Sequence, residues 1–129
     1  MFTLEAIDHV ALTLSDLNRS VFWYSRVLGL KRRHQETWGD HPAVLYAGPT
    51  ALALFARSAD SQSPVRWGGV LRHVAFRVDR QNFLQAQAEL TTEAIEFSFE
   101  DHGIAHSIYF HDPDENLLEI TTYEPTLAA

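Results

Sequence analysis

Between residues 7 and 14 the chain alternates. Val10, Leu12 and Leu14 fall on one side, and Ile7, His9, Ala11 and Thr13 on the other, as a strand between two environments requires. Ser15 or Asp16 then offers an N-cap, and Leu17, Val21, Tyr24 and Leu28 follow at helical spacing. Gly29 stands where a helix end wants a left-handed residue. A strand over Lys31–Thr37, then strands over Ala43–Ala47 and Ala51–Ala56 joined by Gly48-Pro49, complete a β-α-β-β-β unit. Arg57–Pro64, rich in Ser, Ala and Asp, reads as a connector. The pattern then restarts. Leu71–Val78 alternates, Asp79 caps a helix running to about Leu90, and Phe83, Ala86 and Leu90 form its apolar stripe. Ile95–Phe99, Ser107–His111 and Leu117–Tyr123 supply three more strands, the last two joined by the turn Asp112-Pro113-Asp114-Glu115-Asn116.

The restart is a repeat of a phrase. Ile7-Asp8-His9-Val10-Ala11-Leu12 returns about 64 residues later as Leu71-Arg72-His73-Val74-Ala75-Phe76. Each half is too small to close a core alone, so an α+β fold of two paired β-α-β-β-β modules is expected. Module one spans about 4–57, a connector about 58–68 and module two about 69–124, within one domain of 129 residues. A histidine at the same place in both copies makes His9 and His73 a candidate metal-ligand pair.

Composition narrows the function classes. Hydrophobic residues make up 46% of the chain, which argues against disorder. The formal charge is −7 and the ten Lys and Arg residues are scattered apart from Lys31-Arg32-Arg33, so a nucleic-acid partner is not expected. Without cysteine there is no disulfide scaffold, thiolate metal site or thiol catalysis. No apolar run approaches a membrane span, and the N-terminus opens in a strand pattern rather than a signal peptide. A cytoplasmic protein with no membrane partner is the expectation.

Ile7-Asp8-His9-Val10, Phe22-Trp23-Tyr24 through Leu28-Gly29-Leu30, His73-Val74-Ala75-Phe76, and Tyr109-Phe110-His111-Asp112-Pro113-Asp114 running into Leu118-Glu119-Ile120 occur in an order and spacing seen elsewhere. In this the chain resembles the vicinal oxygen chelate superfamily, which holds glyoxalase I, fosfomycin-resistance transferases, bleomycin-resistance proteins and extradiol dioxygenases. The resemblance covers Ile7 to Tyr123. It implies curved sheets around a metal-centred cavity, with His9, His73 and Glu119 as ligands. The strand patterns agree, because the opposite-face residues Val10, Leu12, Val74, Phe76, Leu118 and Ile120 are apolar and suit packing beneath helices. Two imidazoles and a carboxylate leave room in the metal shell for a small substrate with adjacent oxygens, which suits Fe(II) or Mn(II) and tolerates Zn, Co or Ni. The resemblance also implies a homodimer, with the site built from one chain or from two.

Departures from the family's patterns rank the chemistries. The strand Ala51–Ala56 lacks the fourth, acidic ligand of glyoxalase I, and the segment Thr121–Ala129 lacks the Arg or Lys that a fosfomycin transferase needs. Bleomycin-binding relatives have no ligands, so a non-catalytic small-ligand trap is the alternative from another class. Extradiol dioxygenases fit best, ahead of isomerase, lyase or epimerase chemistry. Tyr109 stands ten residues before Glu119, as their site tyrosine does, and Asp101-His102-Gly103-Ile104 resembles a phrase of small catechol-cleaving relatives. On that reading Tyr109 orients or deprotonates a diol and His102 hydrogen-bonds beside it. Their acid/base histidine before the last strand of the first half is replaced by Pro49-Thr50, with His41 the nearest substitute.

Plainer roles stand beside these. Tyr109 is equally an amphipathic strand aromatic with a satisfied hydroxyl. His102, His106 and His111 surround a hairpin and suit a surface, and His34 and His41 suit a solvated loop. Trp23 and Tyr24 suit helix packing. Arg77 pairs either with Glu119 or with a substrate anion.

Overall fold

The computed structural model describes residues 1, 3, 5–57 and 73–125, so the expected connector and the start of the second repeat at Leu71-Arg72 lie outside the described residues. The chain divides into two compact units, Met1–Pro64 and Val65–Ala129. Unit one runs β1 (His9–Leu14), α1 (Leu17–Val27), β2 (Lys31–Arg33), α2 (Gln35–Trp38), β3 (Ala43–Ala47) and β4 (Thr50–Ala56). Its sheet has the order β1-β4-β3-β2, with β1 parallel to β4 and the other pairs antiparallel. Unit two runs β5 (Val74–Arg77), α3 (Arg80–Thr92), β6 (Ser98–Asp101), β7 (His106–His111) and β8 (Leu117–Thr122). Its order, β5-β8-β7-β6, repeats the first topology strand for strand. The fold is the expected α+β pair of β-α-β-β-β modules.

Local chemistry explains most of the boundaries. Asp16 caps α1 by accepting from the Arg19 amide at 3.0 Å, and Asp79 caps α3 through the Asn82 amide at 2.9 Å. Gly29 leaves α1 in the left-handed region at φ 68°, which lets the Leu28 and Leu30 amides close onto the Tyr24 carbonyl. Ala94 takes that role after α3 at φ 58°, although its Cβ is disfavoured there. Each sheet then buries one face under its helix. Leu12, Leu14, Tyr24, Leu45 and Leu54 are buried in unit one, and Phe83, Leu90, Ile108, Phe110 and Leu118 in unit two. Between β7 and β8 the Asp112 carboxylate, itself buried, accepts from the Asp114 and Asn116 amides and from the Asn116 side chain, each at 2.8 Å.

Two strands differ from expectation. β2 stops at Arg33 rather than Thr37, because His34 turns left-handed (φ 69°) and residues 35–38 form a helical turn. β6 is Ser98–Asp101 rather than Ile95–Phe99. All four of its residues are exposed, so pairing with β7, which begins at Ser98 opposite Tyr109, sets its place rather than apolar alternation. Among the described residues no helix is long and apolar enough to cross a membrane.

Ala94→Gly removes the Cβ penalty and is expected to raise the unfolding free energy by about 1 kcal/mol. Asp112→Ala leaves three half-buried donors without their acceptor and is expected to lower it by about 1–2 kcal/mol. Urea titration followed by circular dichroism measures both, and an unchanged midpoint in either variant contradicts the assignment.

Candidate active site

On β8, Leu118 and Ile120 enter the apolar core, and alternation turns Glu119 and Thr121 to the opposite face. Glu119 is only 8% exposed, so its carboxylate needs partners. It has them on both oxygens. Oε1 lies 2.9 Å from His73 Nε2, just ahead of β5, and Oε2 accepts from Ser107 Oγ on β7 at 2.6 Å, the length of a charge-assisted bond. Ser107 Oγ is also 2.9 Å from Thr121 Oγ1, which sits 3.3 Å from the His106 carbonyl.

Tyr109 is directly opposite Glu119 in the β7–β8 register, so a separation of ten residues becomes a cross-strand pair. Its hydroxyl is 2.9 Å from His102 Nε2, and its ring meets the His73 ring edge-on at 6.0 Å. Burial pushes the phenol above its ordinary range, and the Glu119 charge and hydrogen bond push it further. The hydroxyl therefore keeps its proton at neutral pH. His73, Glu119, Tyr109 and His102 thus form one connected cluster on a single sheet.

His9 lies in unit one, at the start of β1, half-exposed, with Nδ1 2.9 Å from Asp8 Oδ2. With Asp8 accepting, Nδ1 carries the hydrogen and Nε2 bears the lone pair, the tautomer a metal ligand needs. In unit two, His73 Nε2 and Glu119 Oε1, 2.9 Å apart, are two groups close enough to bind one cation. Among the described residues no group of three or more His, Asp or Glu side chains gathers. The donor chemistry of all three positions fits a divalent cation.

The registers also show how the halves diverge. Ala11 faces Ala53 across the β1–β4 pair, and its repeat equivalent Ala75 faces Glu119 across β5–β8. Ala53 therefore occupies in unit one the place Glu119 holds in unit two, and Val44, opposite Ala53, matches Tyr109.

The remaining candidates have defined partners. Arg77 lies over the Tyr123 ring, 5.0 Å from its centroid, while His73 takes Glu119. His106 is held between Arg80 Nη1 (3.2 Å) and Asp101 Oδ1 (3.5 Å). His34 Nε2 is 3.1 Å from the Tyr46 hydroxyl, His41 Nε2 accepts from the Ala56 amide, and His111 is exposed. Tyr24 is fully buried. Ser107 and Asp8 escaped sequence reasoning. The signals were their positions, two residues before Tyr109 on the same strand face and immediately before His9.

Known proteins resemble this chain along most of its length. Catechol-2,3-dioxygenase of Bacillus subtilis (strain 168) is 29% identical over 92% of the chain, which spans only 42% of that enzyme. Glutathione transferase FosA of Serratia marcescens is 27% identical over 91% of the chain and 80% of its own length. The crystal structure of lactoylglutathione lyase from Agrobacterium tumefaciens shares the fold with a TM-score of 0.72 at 22% identity, covering 92% of this chain and 94% of that one. Residues 6–120 match the family described as the Glyoxalase/Bleomycin resistance protein/Dioxygenase superfamily, and the chain belongs to that superfamily.

Proposed function

We propose that the protein is a divalent-metal-dependent enzyme that opens the ring of a small aromatic diol beside its two adjacent hydroxyls. The observation that carries this is the Glu119 cluster, with His73 Nε2 at 2.9 Å on one side and the Tyr109–His102 pair on the other. His73 and Glu119 would hold the cation, with His9, the repeat counterpart of His73, as third ligand. Such a cation supplies Lewis acidity to two vicinal oxygens of the substrate, and members of this superfamily generally depend on one. Fe(II) or Mn(II) suits this donor set best.

The chain's own groups do the rest. Ser107 holds Glu119 Oε2, which fixes the carboxylate plane and leaves Oε1 directed at His73. Tyr109, protonated at neutral pH, presents a hydroxyl beside that carboxylate and orients the diol. His102 Nε2, 2.9 Å from that hydroxyl, hydrogen-bonds beside the site and holds it in this orientation. Ring opening consumes one dioxygen and places both its atoms in the product.

Transfer to a phosphonate is less well served. Arg80 Nη1 meets His106 Nδ1 and donates to the Pro125 carbonyl, and Arg77 is stacked on Tyr123, so these two cations near the end of β8 are engaged. The smaller relatives pair as dimers, and we extend that arrangement to this chain.

His73→Ala and His9→Ala are each expected to weaken Mn(II) binding by about 100-fold or more, read by calorimetric titration. Unchanged affinity in either removes that residue from the ligand set. After anaerobic loading with Fe(II), catechols should give oxygen uptake and a yellow ring-opened product. Tyr109→Phe should keep the metal while lowering kcat by about 100-fold or more. Metal binding without oxygen uptake across a catechol panel would overturn the ring-opening assignment.

A further inference from the structure

Unit one carries a depression of about 320 Å³ whose polar end is Asp8 and His9. Trp38, Tyr46 and Phe55 form its walls, with Val44 and Ala53 between them. We propose that this depression is the seat of an uncharged planar ring, and that these three aromatics, with Asp8, select rings lacking anionic substituents.

The walls are set in place from outside. The His34 ring packs on Trp38 at 4.8 Å between centroids, and its Nε2 meets the Tyr46 hydroxyl at 3.1 Å. His41 meets Phe55 edge-on at 5.6 Å while its Nε2 accepts from the Ala56 amide. Two histidines thus orient three aromatic faces, lowering the entropy lost when a ring docks between them. Trp38 stays 53% exposed and Phe55 37% exposed. Large aromatic surface left in water beside a concavity is surface a ligand can bury.

Size and charge then narrow the ligand. An apolar cavity of about 150 Å³ accepts benzene, so this one has room for a ring with a small apolar substituent. Among the described residues no Lys or Arg lines it, and Arg33 is engaged over the Tyr46 ring, 5.4 Å from its centroid. Among the described lining residues Asp8 carries the sole formal charge. In the metal-free protein a carboxylated ring would meet the Asp8 charge with no compensating cation among the described lining residues. The divergence of the units explains the space, because Ala53 and Val44 stand where unit two has Glu119 and Tyr109.

The seat stands on unit one alone; only its coupling to ring opening rests on the proposed function. The test is calorimetric titration of the full-length, metal-free protein with 4-methylcatechol and with 3,4-dihydroxybenzoate. The neutral ring should bind about tenfold or more tightly than the anionic one. Trp38→Ala should weaken 4-methylcatechol about fivefold, with Trp38→Phe restoring most of it, and Asp8→Asn should narrow the gap between the two ligands. Tyr46→Leu provides a second wall variant, and circular dichroism confirms folding of each. Equal affinity for both rings, or no response to the wall variants, overturns the seat even if iron-loaded protein cleaves catechols. Ring binding that obeys these rules without oxygen uptake after iron loading keeps the seat and removes the dioxygenase reading.

Discussion

A carboxylate turned onto the face of a central strand has to be paid for, and Glu119 shows how. Each oxygen has a partner from a different strand or strand lead-in, His73 on one side and Ser107 on the other. Those partners are in place only because β8 lies between β5 and β7 in this register. A slip of one residue would bury Glu119 among Leu118 and Ile120's neighbours and expose the core. The sheet order of unit two, the cap at Asp79 and the Asp112 turn all serve to hold that register.

The duplicated fold is chemically lopsided. Unit two concentrates polar and ionisable groups on its site face, whereas unit one keeps one polar end at Asp8–His9 and lines the rest with aromatic and aliphatic groups. One topology thereby gives two surfaces of different use, one suited to charge and proton handling and the other to an apolar ring. Small changes at matched positions, Ala53 against Glu119 and Val44 against Tyr109, account for the difference.

Much of this was legible in the sequence because its signals are local. Alternation located β1, short strand-like runs either side of Gly48-Pro49 located β3 and β4, Asp16 and Asp79 announced their helices, and the repeated phrase exposed the duplication. The ten-residue spacing of Tyr109 and Glu119 was visible, and the register of β7 and β8 turns it into a cross-strand pair. What stayed hidden depends on backbone events or distant partners. His34 gives no warning that it will turn left-handed and end β2, and exposed β6 has no apolar rhythm to fix its bounds. Ser107 looks like any strand serine until β8 brings Glu119 to it. Arg77 was expected to choose between Glu119 and a substrate anion, but its place opposite Thr121 puts it over Tyr123. The aromatic walls of unit one unite residues from α2, β3 and β4, which only the folded sheet brings together.

Anomalous diffraction from crystals grown with Mn(II) tests the central claim most directly. The account predicts one strong peak per site, within bonding distance of both His73 Nε2 and Glu119 Oε1, with His9 Nε2 from the same chain or a second copy completing the set. A cation bound elsewhere, with the His73–Glu119 hydrogen bond intact, would contradict it.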